Sequence, residues 1–137
     1  AFIIIRVNQY RRNQRVEVGR LRKVYFTDLG IRNAIIDNFL PLDTRDDTGA
    51  LWENFCFMER LKYLQKTNRW VRSYYWRNLE QREIDLIEQE GPDLRAYEMK
   101  YKSAKLPKLP VAFTRNYPDY KSYKLVNQET FIQTMLT

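Results

Sequence analysis

The chain is 137 residues long, 44% hydrophobic and 30% charged, with a formal net charge of +7; that length suffices for one domain burying roughly two-thirds of its unfolded surface. It holds one cysteine, Cys56, and no histidine, which excludes Ser-His-Asp and Cys-His catalysis, zinc fingers and intrachain disulfides. None of its four glycines opens a Gly-x4-Gly-Lys-Ser/Thr loop, so P-loop ATP chemistry is excluded as well.

Phe2–Val7 reads as a strand, followed by the polar, Arg-rich stretch Asn8–Arg15. Leu21–Thr27 reads as a second strand that ends at Asp28-Leu29-Gly30. Ile31, Ile35 and Phe39 recur at four-residue spacing and predict a short helix that Pro41 stops. The polar loop Asp43–Gly49 offers N-cap residues for the strongest helix, Ala50–Lys66, where Leu51, Phe55, Met58 and Leu61 fall at core spacing. Cys56, between Phe55 and Phe57, is a small core residue in this reading.

Three strands are predicted next, at Trp70–Arg77, Arg82–Gln89 and Leu94–Lys102. A Pro-containing segment leads to a short helix near Pro110–Asn116, then a strand at Lys121–Val126 and a final helix at Glu129–Leu136. The connection into Lys121–Val126 is long enough for a parallel crossover. The expected fold is therefore α/β, a mixed and mostly antiparallel sheet flanked by helices.

The apolar opening Phe2-Ile3-Ile4-Ile5 is cut short by Arg6, and no apolar run approaches the ~20 residues of a membrane helix. Neither a signal peptide nor a membrane partner is expected, and a lone cysteine suits a reducing cytoplasm. A start without an initiator Met, directly on a strand-like run, is expected of a piece excised from a longer polypeptide. Charge is uneven: residues 1–32 carry eight basic and two acidic side chains, residues 33–93 eight and twelve, residues 94–137 eight and three. Basic ends around an acidic middle fit either a phosphate-rich partner such as DNA or an ordinary basic soluble domain.

Asp85, Glu98 and Lys100 carry the chemistry. Residues two apart on a strand share a face, so Glu98 and Lys100 point together. A hairpin closed by residues 90 to 93 sets Asp85 opposite Glu98. Two carboxylates and an ammonium on one patch suit a hard divalent cation, Mg2+ or Mn2+, with the lysine beside a phosphate or a water. The same pattern also describes a cross-strand ion pair on a solvated face. Glu53 has Gly49, Ala50, Cys56 and Phe57 as helical neighbours and leans toward an apolar face, where a carboxylate needs a partner or a metal; an exposed acid in the first turn of a helix is the other reading. The candidate catalytic set is thus Asp85, Glu98, Lys100 and Glu53, with Asp85, Glu98 and Glu53 as metal ligands.

Candidate phosphate contacts are Arg11, Arg12 and Arg15 near the start and Lys102 and Lys105 after the third strand, all equally compatible with solvated loops. Trp70, Tyr74, Tyr75 and Trp76 offer faces for unpaired bases, although strand alternation sends about half of them into a core.

The order helix, three strands, helix, strand, with an acid on the second strand and Glu98-Met99-Lys100 on the third, resembles the PD-(D/E)XK superfamily of restriction-endonuclease-like folds. Asp85 matches the Asp position, Glu98 and Lys100 the Glu-x-Lys position, and Glu53 the acid many members carry on the first helix. Ile84 stands where the superfamily's name has Pro. A closer resemblance spans nearly the whole chain, through Lys23–Gly30, Gly49–Phe55, Tyr75-Trp76-Arg77, Glu83–Leu86 and Tyr97–Lys100. These blocks are similar to a domain of unknown function at the C-terminus of prokaryotic AAA-type ATPases. That resemblance implies that residues 1–20 are the tail of a winged-helix-like linking region and that residues 21–137 form the nuclease-like domain. It further implies that ATP chemistry belongs to an N-terminal ATPase module outside this chain, the domain's natural partner. The function so implied is accessory, with metal-dependent hydrolysis of DNA as one reading. A catalytically silent DNA- or protein-binding regulator is another, and an oligomerisation domain a third.

Overall fold

A computed structural model describes residues 3–11 and 22–137 and contains two sheets. β1 (Ile4–Asn8) and β2 (Arg22–Phe26) form an antiparallel pair. The larger sheet runs in the order β3 (Arg72–Arg77), β4 (Glu83–Glu90), β5 (Asp93–Met99) and β6 (Ser122–Val126). Its first three strands are an antiparallel meander, and β6 lies parallel to β5. The mixed, mostly antiparallel α/β architecture expected from the sequence is present.

Four α-helices complete the described residues: α1 (Leu29–Ile35), α2 (Thr48–Lys66), α3 (Val111–Asn116) and α4 (Phe131–Met135). α1 starts earlier than its apolar spacing predicts because the Asp28 carboxylate accepts the N–H groups of Gly30 at 2.7 Å and Ile31 at 3.3 Å. It also stops short of Phe39, because Asp37 adopts a left-handed φ of 53° that breaks the helical repeat. The polar loop before α2 does place Asp47 at the N-cap position, yet its side chain makes no cap. That carboxylate is taken by Arg45 at 2.6 Å and Arg32 at 2.8 Å, an ion-pair knot that pins the loop to α1.

The sheet buries a face on each side. α2 and α4 cover one, where Cys56, Phe57 and Met135 pack with Leu86, Tyr97 and Val126. α3 covers the other, where Phe113 and Tyr117 meet Trp76, Ile84, Ile87 and Ala96. Of the four candidate stacking aromatics, Tyr75 and Trp76 are thus core, Tyr74 packs against the α3 core with its ring edge-on to Tyr10, and Trp70 is 93% exposed. Arg60 and Glu88 form a fully buried bidentate pair, at 2.7 and 2.9 Å, inside the α2 face. Arg60 also donates to the carbonyls of Met135 and Thr137, tying α2 to the end of the chain.

The β1–β2 pair is fastened at both flanks. On one, the Tyr10 N–H donates to the Tyr75 carbonyl at 2.7 Å, and the Gln9 amide donates to the Arg77 carbonyl. On the other, the buried Asn54 amide grips β2 from α2: its oxygen accepts the Phe26 N–H at 2.9 Å and its nitrogen donates to the Phe26 carbonyl at 2.8 Å. Tyr25 stacks on Phe57 with ring centroids 4.3 Å apart. β2 therefore runs along the end of α2 that carries Glu53.

Candidate metal centre

The β4–β5 hairpin closes where the sequence requires. Glu90 pairs with Asp93, and Gly91 takes the left-handed φ of 57° that glycine adopts without steric cost. The register continues to Leu86 opposite Tyr97, so the next residues inward, Asp85 and Glu98, are neighbours. Regular pairing stops there. On the other flank of β4, Tyr74 pairs with Ile87 and Trp76 with Ile84, which leaves Asp85 and Leu86 together opposite the single residue Tyr75. This is a β-bulge, a device that re-aims a side chain and loosens the ladder. Freed from the ladder, the Asp85 carboxylate accepts the Met99 N–H at 2.8 Å, replacing a strand-to-strand bond.

Glu98 alternates with Ala96 on β5, is 7% exposed, and lies 3.5 Å from the Tyr123 hydroxyl. Its pKa is pushed up to about 9, by burial first, then by the hydrogen bond to Asp85 and by that residue's charge. At neutral pH Glu98 is therefore protonated and donates to Asp85. The two carboxylates touch, with Asp85 re-aimed by the bulge rather than held by regular pairing.

On its other side Asp85 faces two further acids and a lysine. One oxygen from each of Glu53, Glu83 and Asp85 lies within 4.8 Å of the others. The Lys23 ammonium sits among them, 2.6 Å from Glu53 and 3.9 Å from Asp85, and also paired with Glu83. The Tyr25 hydroxyl donates to the same Glu53 oxygen at 2.6 Å. Glu83 is further held by Arg77 at 2.6 Å.

The electrostatics follow from this packing. Burial raises the pKa of Glu53, and the charge of Asp85 adds to the rise, with Lys23 opposing both. Burial would also raise Glu83, but hydrogen bonds to Lys23 and Arg77 outweigh it and leave its pKa below the ordinary value. Burial would lower Lys23, yet the neighbouring Glu53 and its hydrogen bonds to Glu53 and Glu83 leave its pKa raised. Tyr25 and Tyr123 are both pushed upward, by burial and then by the adjacent Glu53 and Glu98 respectively.

The donor set fits a hard divalent cation. All candidate ligands are carboxylate oxygens, and oxygens sharing one ion at about 2.1–2.5 Å cannot be more than about 5 Å apart, a limit that Glu53, Glu83 and Asp85 meet. Among the described residues Glu98 is not in that threesome; it adjoins it through Asp85. Lys100 follows directly on β5, its N–H bonded to the Val126 carbonyl at 3.0 Å and its side chain exposed. Its charge favours the ionised form of Glu98, and among the described residues the lysine paired with Glu53, Glu83 and Asp85 is Lys23, not Lys100.

A family model for a domain of unknown function, DUF4143, matches residues 48–134, well over half of the chain. The chain belongs to the DUF4143 family. The match takes in Glu53, Glu83, Asp85, Glu98, Lys100 and Tyr123, and leaves Lys23 and Tyr25 upstream of it. No curated protein and no solved structure matches the chain. Among the described residues of this DUF4143 chain, no helix is long and apolar enough to cross a membrane.

Of the predicted phosphate contacts, Arg11, Lys102 and Lys105 are exposed, and Arg12 and Arg15 lie outside the described residues. Sequence reasoning passed over Glu83, Lys23, Tyr25 and Tyr123. Glu83 carried a usable signal, since it stands two residues from Asp85. Lys23 and Tyr25 share a face of β2 by the same alternation, but nothing local ties that strand to α2.

Proposed function

We propose that this DUF4143 chain is a nuclease-like accessory domain of an AAA-type ATPase, with a PD-(D/E)XK arrangement of residues 21–137. The observation that carries this reading is the meeting of Asp85 on β4 with Glu98 on β5, beside Glu53 from the preceding helix. The strand order, with a parallel β6 reached through α3, supports it too. Asp85, Glu53 and Glu83 would hold Mg2+ or Mn2+, with Glu98, which adjoins them through Asp85, joining as a ligand on giving up its proton. Such an ion polarises a phosphoryl oxygen and lowers the pKa of a bound water.

The chain's own groups have separate duties in this reading. The Met99 N–H fixes the Asp85 carboxylate, and Tyr25 and Lys23 fix Glu53. Lys100, exposed at the end of β5, orients the attacking water toward a DNA phosphate. Lys102, Lys105 and Arg11 supply sequence-independent grip on the backbone. The test is cleavage of labelled single- and double-stranded DNA with Mg2+ or Mn2+, comparing the chain with Asp85→Asn and Lys100→Met. Cleavage lost in both variants supports the reading.

A second reading has its own observation. The Lys23 ammonium already pairs with Glu53, Glu83 and Asp85, an internal counter-charge in keeping with a silent DNA- or protein-binding regulator of the ATPase. That reading predicts salt-dependent DNA binding that survives Lys100→Met, with no cleavage.

A further inference from the structure

We propose that Lys23 is a tethered cation that competes with a divalent ion for Glu53, Glu83 and Asp85, so that a metal enters the centre only as the Lys23 side chain leaves it. The inference rests on the metal reading given above and adds a residue from outside the family match.

Three observations carry it. First, the ammonium reaches the same three residues whose oxygens are mutually close enough to share one ion. A metal bound to those oxygens and an ammonium paired with them would occupy one small volume, and their like charges would repel at short range. Second, the backbone that delivers Lys23 is fixed. Asn54 grips Phe26 on β2, Tyr25 stacks on Phe57, and the Tyr10 N–H holds the β1 side to Tyr75. Little further ordering of the chain is needed to bring the ammonium into place, so its effective concentration is high. Third, only the side chain is free to move. Lysine's four-carbon stem carries a compact charge that swings without disturbing the strand. The Lys23 side chain is 16% exposed, so it is not sealed from solvent.

Tyr25 has a different part. Its hydroxyl holds the Glu53 oxygen that Lys23 also contacts, so Glu53 stays aimed at the centre when the ammonium departs. β2 thus supplies both the competitor and the group that preserves the ligand.

The test is Mn2+ titration by calorimetry of the full chain and of Lys23→Met, Lys23→Gln and Lys23→Arg. Far-UV circular dichroism confirms that each variant folds. Removing the charge is expected to tighten Mn2+ binding by about tenfold or more, and the arginine variant to show no gain. Asp85→Asn on the Lys23→Met background should abolish binding. Equal affinity in all Lys23 variants, lost with Asp85→Asn, would overturn the competition and leave the metal centre standing. No Mn2+ binding by any protein would overturn both. A second measurement needs no variant: acylation of Lys23 in the wild-type chain, followed by mass spectrometry with and without Mg2+. Lys23 is expected to be protected without Mg2+ and labelled several-fold faster with it; an unchanged rate would overturn the proposal.

Discussion

The Asp85 carboxylate accepts the Met99 N–H at 2.8 Å, so a side chain of β4 takes the place of a main-chain partner at the point where β4 and β5 part. One oxygen is thereby fixed while the group as a whole touches Glu98 on one side and faces Lys23 on the other. Asp85 is the shared member of both halves of the site.

That sharing predicts a titration. Glu98 is held near 9 by burial and by Asp85. In Asp85→Asn the charge disappears and the Glu98 pKa should fall clearly toward the ordinary carboxylate range, as read from its carboxyl carbon resonance across pH. A Glu98 pKa unchanged by the substitution would mean that burial acts alone.

The same group predicts a pH dependence of stability. Unfolded, Glu98 titrates near 4.3; folded, it titrates at about 9. Between these values the folded chain keeps a proton that the unfolded chain has lost. The contribution is full below the lower value and is lost as pH rises through the upper one, with a slope of up to about 1.4 kcal/mol per pH unit. Glu53, also raised, acts in the same direction. Glu83, lowered, acts oppositely as pH falls through its pKa. Urea unfolding from pH 5 to 9 should show the decline, and Glu98→Gln should flatten it. Identical slopes in the two proteins would refute the assignment.

Asn54 makes two hydrogen bonds to Phe26, at 2.9 and 2.8 Å, and is buried. Asn54→Ala leaves a strand N–H and carbonyl without that partner, a cost of about 1–3 kcal/mol. Amide exchange should accelerate first in β1 and β2 and leave β4 and β5 protected. Uniform acceleration would show that the β1–β2 pair does not open independently of the larger sheet.

The Arg60–Glu88 pair is fully buried. Arg60→Met removes the bidentate partner and leaves Glu88 to Arg95 at 3.1 Å and the Tyr97 hydroxyl at 3.2 Å. A loss of about 3–5 kcal/mol is expected in denaturant unfolding. A loss below 1 kcal/mol would mean that Arg95 and Tyr97 suffice.

Much of this was readable from local pattern. Gly91 and Pro92 fixed the hairpin and its register, and register alone made Asp85 and Glu98 neighbours. α2 declared itself through Leu51, Met58 and their helical neighbours. The remainder depends on contacts distant in sequence. Lys23 meets Glu53 across thirty residues of chain and Glu83 across sixty, and no periodicity reports such a meeting. The β4 bulge is equally silent, because Ile84-Asp85-Leu86-Ile87 carries no turn or glycine signal to mark it, yet it turns both Asp85 and Leu86 away from the α3 core that holds Ile84 and Ile87. Glu88 is buried with Arg60 as its bidentate partner, a contact between residues twenty-eight apart that no local pattern announces. Asp47 looked like a cap, and the nearby arginines claimed it.

Anomalous diffraction from crystals grown with Mn2+, of the wild-type chain and of Lys23→Met, locates the cation without reference to activity. A peak about 2.1–2.5 Å from carboxylate oxygens of Asp85 and Glu53 is the expected result, stronger in Lys23→Met. Ordered carboxylates at Glu53, Glu83 and Asp85 with no peak in either crystal would contradict the metal centre and leave the acids as a structural ion-pair network.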